Sequence, residues 1–279
     1  MVELQQSPRI HAAHVDNRNM LRSILEIFRY SELIKTLVAK DLRVRYTNSV
    51  LGYAWTWLDP IMSMFTFILV FDIMLSIKVE HFPVFLLSGL IPWTFFSSSV
   101  ISSVGSILNN AGLIKRVYYP REIFPLTIIL SDGINMIFSL LLLIPVVLFF
   151  GLKITPKILL LPIPTLFLFL LTFGLSLIVS SINVFLRDMS YIAPFVIRLW
   201  FFVTPIFYVI DGHIPEQYIN IYILLNPMAV IISLYRTSLM NYSFPAPQHI
   251  LIAFSTCFLV FIIGYKFFKQ IEDIMVKRI

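Results

Sequence analysis

Six long apolar stretches fill most of this 279-residue chain, and each is long enough to cross a lipid bilayer as a helix. A hydrocarbon core of roughly 30 Å needs about 20 apolar helical residues. Because lipid offers no hydrogen bonds to the backbone, helices are favoured over open sheets. The composition agrees, with 58% hydrophobic and 13% charged residues. We therefore predict an all-α membrane protein with about six spans, near 57–77, 84–107, 124–150, 158–184, 191–210 and 249–268.

The positive charges are unevenly distributed between these spans. Lys and Arg lie mainly in the N-terminal segment, in the connection after the second span and at the C-terminus. The connections on the opposite side hold Lys78, Lys153, Lys157 and Arg236. Basic residues are retained on the cytoplasmic side of membrane proteins. The pattern predicts that both termini are cytoplasmic, and it relates the net charge of +6 to anionic lipid rather than to nucleic acid.

A further apolar run lies at 219–240, between the fifth and sixth spans, and it is broken by Asn226, Pro227 and Arg236. A full crossing there would put the basic C-terminus outside. We therefore predict one or two re-entrant or interfacial helices on the outer side, because broken backbone is tolerated where protein or a cavity surrounds it. Whether 219–240 is re-entrant or spans the membrane stays open.

The segment before the first span has the pattern of an amphipathic helix. Tyr30, Leu33, Ile34, Leu37 and Val38 recur at helical spacing, and the opposite face is polar and basic. We predict a cytoplasmic segment, residues 1–50, whose helix lies in the membrane interface, and a transmembrane domain at 51–279. The alternative is a soluble helix that packs on a partner.

Motifs for catalysis are absent from the sequence. It contains no G-x-x-x-x-G-K-[ST] phosphate loop, no H-E-x-x-H metal motif and no G-x-S-x-G nucleophile turn. Cys257 is the single cysteine, which excludes an internal disulfide and a cysteine-rich metal site. We predict that this chain is not an enzyme and holds no catalytic residue, metal or cofactor.

Four motifs occur in order along the chain. They are the segment 33–60 with L-G-Y-x-W-x-x-L-x-P at the first span, NNAGLIKRVYYPREIFPL at 109–126, NVFLRDMSYI at 183–192, and TPIFY at 204–208 followed by LNPM at 225–228. In these motifs the chain resembles the permease subunit of type 2 ABC exporters. The closest subgroup exports lipid-linked polysaccharide, such as O-antigen, teichoic acid and capsule.

The resemblance implies a homodimer of permeases with a pore between the two copies, in the bacterial inner membrane. It implies two separate ATP-binding subunits, which carry the ATP and Mg, and a lipid-linked glycan as the substrate. It also implies that the loop after the second span docks on the ATPase, through apolar side chains for a groove and charges for orientation. The residues are Asn109, Leu113, Ile114, Lys115, Arg116, Val117 and Tyr118. Arg187 and Asp188 form either a second contact or a local ion pair.

Two further groups of side chains are candidates for substrate contact. Aromatic residues in the first, second and fifth spans offer stacking faces for sugar rings, although aromatics at these depths also form interfacial belts. They are Tyr53, Trp55, Trp57, Trp93, Phe201, Phe202 and Tyr208. Lys40, Arg43 and Arg45 can bind the phosphate of a lipid carrier or the anionic leaflet.

Polar residues inside the spans should face protein or water, because burying them in lipid is costly. They are Asp59, Asp72, Asp132, Asn135 and Arg198, and an Arg198–Asp132 pair is conceivable. Serines spaced by four, at 98, 102 and 106 and at 176 and 180, favour close helix packing. Three other functions are weighed: a type 2 exporter of a small lipid or drug, a membrane enzyme such as a glycosyltransferase, and a secondary transporter.

Overall fold

The structure is a computed structural model that describes residue 27 and residues 29–47, 49–70, 81–115, 119–210 and 214–279. Over these residues the chain is a bundle of helices without strands. Five helices are long and apolar enough to cross a membrane, or six if the bent pair at 216–240 counts as one span. The predicted all-α membrane fold is confirmed.

Most helix bounds lie close to the predicted spans. The amphipathic helix α1 is Ser31–Tyr46, and the first span begins with α2, Trp55–Phe67. The second span is α3, Phe82–Val104, followed by the short helices α4, Ser106–Asn109, and α5, Ala111–Ile114. The third and fourth spans are α6, Ile123–Phe149, and α7, Pro162–Phe185, which a 3-10 turn at Pro156–Leu160 precedes.

The last third of the chain differs more from the prediction. The helix of the fifth predicted span is α8, Met189–Val203. It has 15 residues, so it covers about 22 Å rather than the roughly 30 Å of a hydrocarbon core. The predicted span at 191–210 therefore extends too far, because the helix ends before the segment that contains TPIFY. That segment leaves the helix at Thr204, where the backbone is extended and Pro205 follows.

The apolar run at 219–240 forms two helices that meet at a sharp bend. They are α9, Glu216–Leu225, and α10, Met228–Met240, and their axes differ by 99°. Asn226 and Pro227 occupy the bend. Proline lacks an amide hydrogen and disfavours helical backbone in the residue before it, which explains the break at this point. A bend of this size is the geometry of a broken span or a re-entrant loop.

The final helix, α11, Pro247–Arg278, packs along α7 through a close helix crossing. Gly174 and Gly264 meet there: a Cβ added to Gly264 would lie 2.3 Å from the Gly174 carbonyl oxygen. Small residues allow such a close approach, which gives dispersion contacts that lipid cannot replace. Ser176 and Ser180 on α7 are also buried, as predicted for packing serines. On α3, in contrast, Ser102 is exposed and Ser98 borders a cavity.

Replacing Gly264 by Ala should separate α7 from α11 and destabilise the protein by about 1–3 kcal/mol, the usual cost of an overpacked site. The measurement is thermal unfolding of the detergent-purified protein. Gly133→Ala is the matched control, because a Cβ on this glycine of α6 would meet Phe95 at an ordinary 3.7 Å. Equal melting temperatures for the two variants would contradict the close crossing.

Candidate functional site

The short helix α8 exposes a stripe of aromatic residues interrupted by one arginine. Four residues lie at spacings of four, three and four, so they share one face of the helix: Tyr191, Phe195, Arg198 and Phe202. All four are exposed, whereas Ala193 and Ile197 on the opposite side are buried in the bundle. Arg198 lies nine residues into α8, about 13 Å along its axis. We call this face the α8 stripe.

A second exposed stripe runs along α2. It consists of five exposed residues at helical spacing, the last of them just beyond the end of α2: Trp55, Asp59, Met62, Thr66 and Leu69. The span that contains α2 is only 6% buried in the bundle, in contrast to 78% for α3. Among the described residues, neither Asp59 on this stripe nor Arg198 on the α8 stripe forms an ion pair. Both are charged and exposed on apolar helices, and Asp59 also borders the cavity described below.

The predicted substrate aromatics separate into two sets. Tyr53, Trp55, Trp57 and Phe202 are exposed. Trp57 also donates a hydrogen bond from its indole Nε1 to the Phe138 carbonyl oxygen, 3.2 Å away on α6. Trp93 and Phe201, in contrast, belong to an inner cluster with ring centroids 5.5 Å apart. Trp93 is 6% exposed, so in this structure it packs α3 against α8 and does not line a surface.

The ends of α8 and α9 are joined by hydrogen bonds around the TPIFY and LNPM motifs. The Val203 carbonyl oxygen accepts hydrogen bonds from the Tyr208 hydroxyl at 2.8 Å and the Tyr222 hydroxyl at 2.7 Å. The Asn226 amide oxygen accepts from Trp200 Nε1 at 3.0 Å. Helix ends leave carbonyl groups unsatisfied, and lipid cannot satisfy them. Tyr208 therefore closes a helix end here, in addition to its predicted place among the aromatics.

Arg45 lies at the end of α1 and reaches the transmembrane helices. Its guanidinium pairs with Asp132 of α6 at 2.5 Å and with Asp41 of α1 at 3.2 Å. Asp132 is 4% exposed and also accepts a hydrogen bond from Ser99 of α3 at 3.0 Å. The conceivable pair of Asp132 with Arg198 is therefore wrong. Sequence reasoning missed this pair because the two residues are 87 positions apart.

This ion pair removes Arg45 from the basic residues of α1 that were expected to bind phosphate. Lys40 and Arg43 remain exposed and able to meet phosphate, whereas Arg45 is already neutralised by two carboxylates. The pair borders a cavity of about 310 Å³ between α2, α3 and α6, which is also lined by Asp59, Asn135, Ser98 and Ser139. Its charged lining makes it a hydrated pocket rather than a lipid cleft.

The predicted docking loop lies between α3 and α6. Asn109 and Lys115 are exposed, Leu113 is half-buried, and Ile114 is buried. Arg116, Val117 and Tyr118 lie outside the described residues, as does Asp72. Arg187 and Asp188 are exposed at the turn between α7 and α8, and they form no ion pair with each other among the bonds of the described chain. The local pair that was weighed for them is absent there.

A buried charge cluster that sequence reasoning missed joins this loop to the end of α11. Lys269 Nζ lies 2.9 Å from Glu122 and 3.0 Å from Glu272, and Arg121 lies 3.0 Å from Glu272. Burial raises the pKa of the Glu122 carboxyl, and the Lys269 ammonium opposes that rise. Tyr30, just before α1, contacts Tyr119 with ring centroids 5.8 Å apart. The start of α1, the loop and the end of α11 therefore share one end of the bundle.

The described part of the chain contains no group of three or more His, Cys, Asp or Glu residues that could hold a metal ion.

Comparison with known proteins identifies the family. The model of the ABC-2 type transporter family matches residues 32–240, three quarters of the chain. The chain belongs to the ABC-2 type transporter family. The matched region runs from α1 through α10, so it includes both stripes, the docking loop and the bent pair.

Curated members of this family align with most of the chain. An O-antigen export system permease protein RfbA from Klebsiella pneumoniae is 31% identical over 86% of this chain and 92% of its own length. RfbA from Myxococcus xanthus is 30% identical, over 81% and 87% of the two chains. The polysialic acid transport protein KpsM from Escherichia coli is 28% identical, over 79% and 85%.

Arg45→Ala should leave the Asp132 carboxylate buried and unpaired, at a cost of about 1–3 kcal/mol in unfolding free energy. The measurement is thermal or denaturant unfolding in detergent. Asp132→Asn in the same chain should recover part of the loss, since it removes the unpaired charge. Lys35→Ala is the control: its pair with Glu32 is exposed on the same helix, and exposed pairs contribute about 0–1 kcal/mol. A loss for Arg45→Ala no larger than for Lys35→Ala would contradict the buried pair.

Proposed function

We propose that this chain is the permease subunit of an ATP-driven exporter that moves a lipid-linked, O-antigen-like polysaccharide across the bacterial inner membrane. Family membership and the curated export permeases support the class of transporter. The observation that carries the route is the α8 stripe, where aromatic faces and Arg198 stand exposed at membrane depth. The proposal assigns catalysis of ATP hydrolysis to a separate subunit.

The two exposed stripes support a pore at an interface between two copies. A charged side chain facing lipid is costly, so Asp59 and Arg198 should face another subunit or water. Their helices, α2 and α8, are the ones whose outward faces carry a charge at this depth and no partner in the described chain. A second copy placed against these faces would remove them from lipid and enclose an aqueous route. This arrangement supports the proposal of a homodimer with a pore between the two copies.

The residue types on the α8 stripe suit a sugar polymer. Aromatic rings stack on the apolar faces of sugars and tolerate differences between them, and an arginine donates hydrogen bonds to hydroxyl or acidic groups. A chain can slide past such contacts because each is weak and the next is similar. A type 2 exporter of a small lipid or drug is the alternative, and it does not require the charged group at position 198.

The energy should enter through the loop between α3 and α6. We assign two ATP-binding subunits to the end of the bundle that holds this loop, which the positive charges place in the cytoplasm together with both termini. The buried cluster of Arg121, Glu122, Lys269 and Glu272 supports this assignment, because it fixes the loop to α6 and α11. A displacement of the docked loop is then passed to membrane-spanning helices.

A cysteine at position 195 should react with water-soluble thiol reagents and form a disulfide across the dimer, in a Cys257→Ala background. Phe258→Cys is the matched control, because Phe258 is an exposed aromatic of α11 that we assign to lipid. Labelling and non-reducing electrophoresis in membranes provide the measurement. Labelling and cross-linking at 258 but not at 195 would place the route elsewhere.

Changing Lys115, Arg116 and Tyr118 together to Ala should abolish co-purification of the ATP-binding subunit. Glycan that is not exported should then accumulate inside the cell. The physical reason is the loss of both the charges and the ring that would orient docking. The same change at Lys153 and Lys157, basic residues in a connection on the opposite side, is the control. A triple variant that still retains the ATPase and exports glycan would overturn the docking assignment.

A further inference from the structure

Arg236 is a fully buried arginine at the end of the bundle opposite the docking loop. It lies on α10, is 4% exposed, and is surrounded by buried residues of the same helix. Removing a guanidinium from water is costly unless a counter-charge and hydrogen bonds compensate for it. Its surroundings therefore show whether the chain itself supplies that compensation.

The described residues accept hydrogen bonds from only part of the Arg236 guanidinium group. One guanidinium nitrogen donates to the Ile206 carbonyl oxygen at 2.6 Å and the other to the Tyr208 carbonyl oxygen at 3.4 Å. The guanidinium also lies 3.5 Å from the centre of the Phe85 ring. The Nε atom is buried and has no hydrogen-bond partner in the described chain. No carboxylate among the described residues pairs with Arg236, so its charge is not neutralised there.

Arg236 borders a cavity of about 260 Å³ whose wall combines apolar side chains with hydroxyl, imidazole and guanidinium groups. Ser233, Tyr242, Ser243 and His249 line it, and the described lining contains no Asp or Glu. Lys157 adds a second positive charge nearby, 5.4 Å from the ring of Phe244, which is itself a lining residue. The cavity can hold several waters, because one water occupies about 30 Å³ in the liquid.

We propose that this cavity is a binding site for a phosphate-like oxyanion, held by Arg236. The uncompensated charge and the buried Nε donor without a partner match the acceptor oxygens of such a group, and arginine binds them with directed hydrogen bonds. The anion comes either from a lipid headgroup in the facing leaflet or from solution. The site lies outside both stripes and the docking loop, so the observations that support it are separate from those that support the proposed function.

The test uses the whole permease in nanodiscs of zwitterionic phosphatidylcholine and follows its melting temperature. One arm titrates inorganic phosphate, and the other includes phosphatidylglycerol in the nanodisc. We expect a saturable rise in melting temperature in at least one arm. Phosphate alone would identify a free anion as the ligand, and phosphatidylglycerol alone a lipid headgroup.

The rise should be lost in Arg236→Gln and retained in Lys153→Gln, which removes an exposed positive charge from the connection between α6 and α7. Ser233→Leu keeps Arg236 and its carbonyl bonds but fills the cavity, so it decides the matter if Arg236→Gln does not fold. A rise that is unchanged in Ser233→Leu, or no rise in either arm, would overturn the proposal.

Asp211 follows the lining residue Ile210 but lies outside the described residues, and it provides a further arm of the test. If anion binding appears only after Asp211→Asn, the counter-charge of Arg236 is a carboxylate of the chain, and the proposal is wrong. Binding in the unmodified protein that Asp211→Asn leaves unchanged supports an external anion.

Discussion

Lipid solvates neither a charge nor an unpaired peptide group, and the polar residues of this bundle are arranged around that constraint. Asp132 forms an ion pair with Arg45 of α1 and accepts a hydrogen bond from the Ser99 hydroxyl of α3. At the bend, the Asn226 side-chain oxygen accepts hydrogen bonds from Trp200 and Thr204, and the last carbonyl group of α8, that of Val203, accepts them from two tyrosine hydroxyls. Asp59 and Arg198 form no ion pair among the described residues; Arg198 is exposed on the outer face of α8, and Asp59 is exposed at the edge of the cavity between α2, α3 and α6. The outward surface around these two residues is therefore where the molecule requires something other than lipid.

The same constraint makes the bundle mechanically connected. The pair between Arg45 and Asp132 joins the interfacial helix α1 to α6, about 14 Å from the start of that helix. At the end that holds the docking loop, Lys269 and Arg121 join α11 to the first residues of α6. Breaking either set would leave a carboxylate buried and uncompensated, which is strongly unfavourable. The loop and α1 are thus joined to membrane-spanning helices by buried carboxylates that are costly to leave unpaired.

The sequence predicted what depends on local pattern and missed what depends on distant contacts. Apolar length located the spans, and Pro227 located the bend, because bilayer thickness and proline geometry act over a few residues. Arg45 was expected to meet phosphate, but its partner is 87 positions away and no periodicity reveals it. The period of Tyr191, Phe195, Arg198 and Phe202 was readable in the sequence. It was missed because the aromatics were considered by their depth in the membrane, not by their helix face.

The shortness of α8 has a consequence for the route. Its 15 residues cover only part of the membrane thickness, so the route must continue past Val203 along non-helical backbone and the bent pair. There the last carbonyl group of α8 is satisfied by two tyrosine hydroxyls, and Arg236 holds the carbonyl groups of Ile206 and Tyr208. Side-chain hydrogen bonds of this kind can be exchanged individually, whereas a continuous helix unwinds cooperatively. In the proposed route, the non-helical backbone that follows Thr204 is therefore the part that can rearrange without unwinding a long helix.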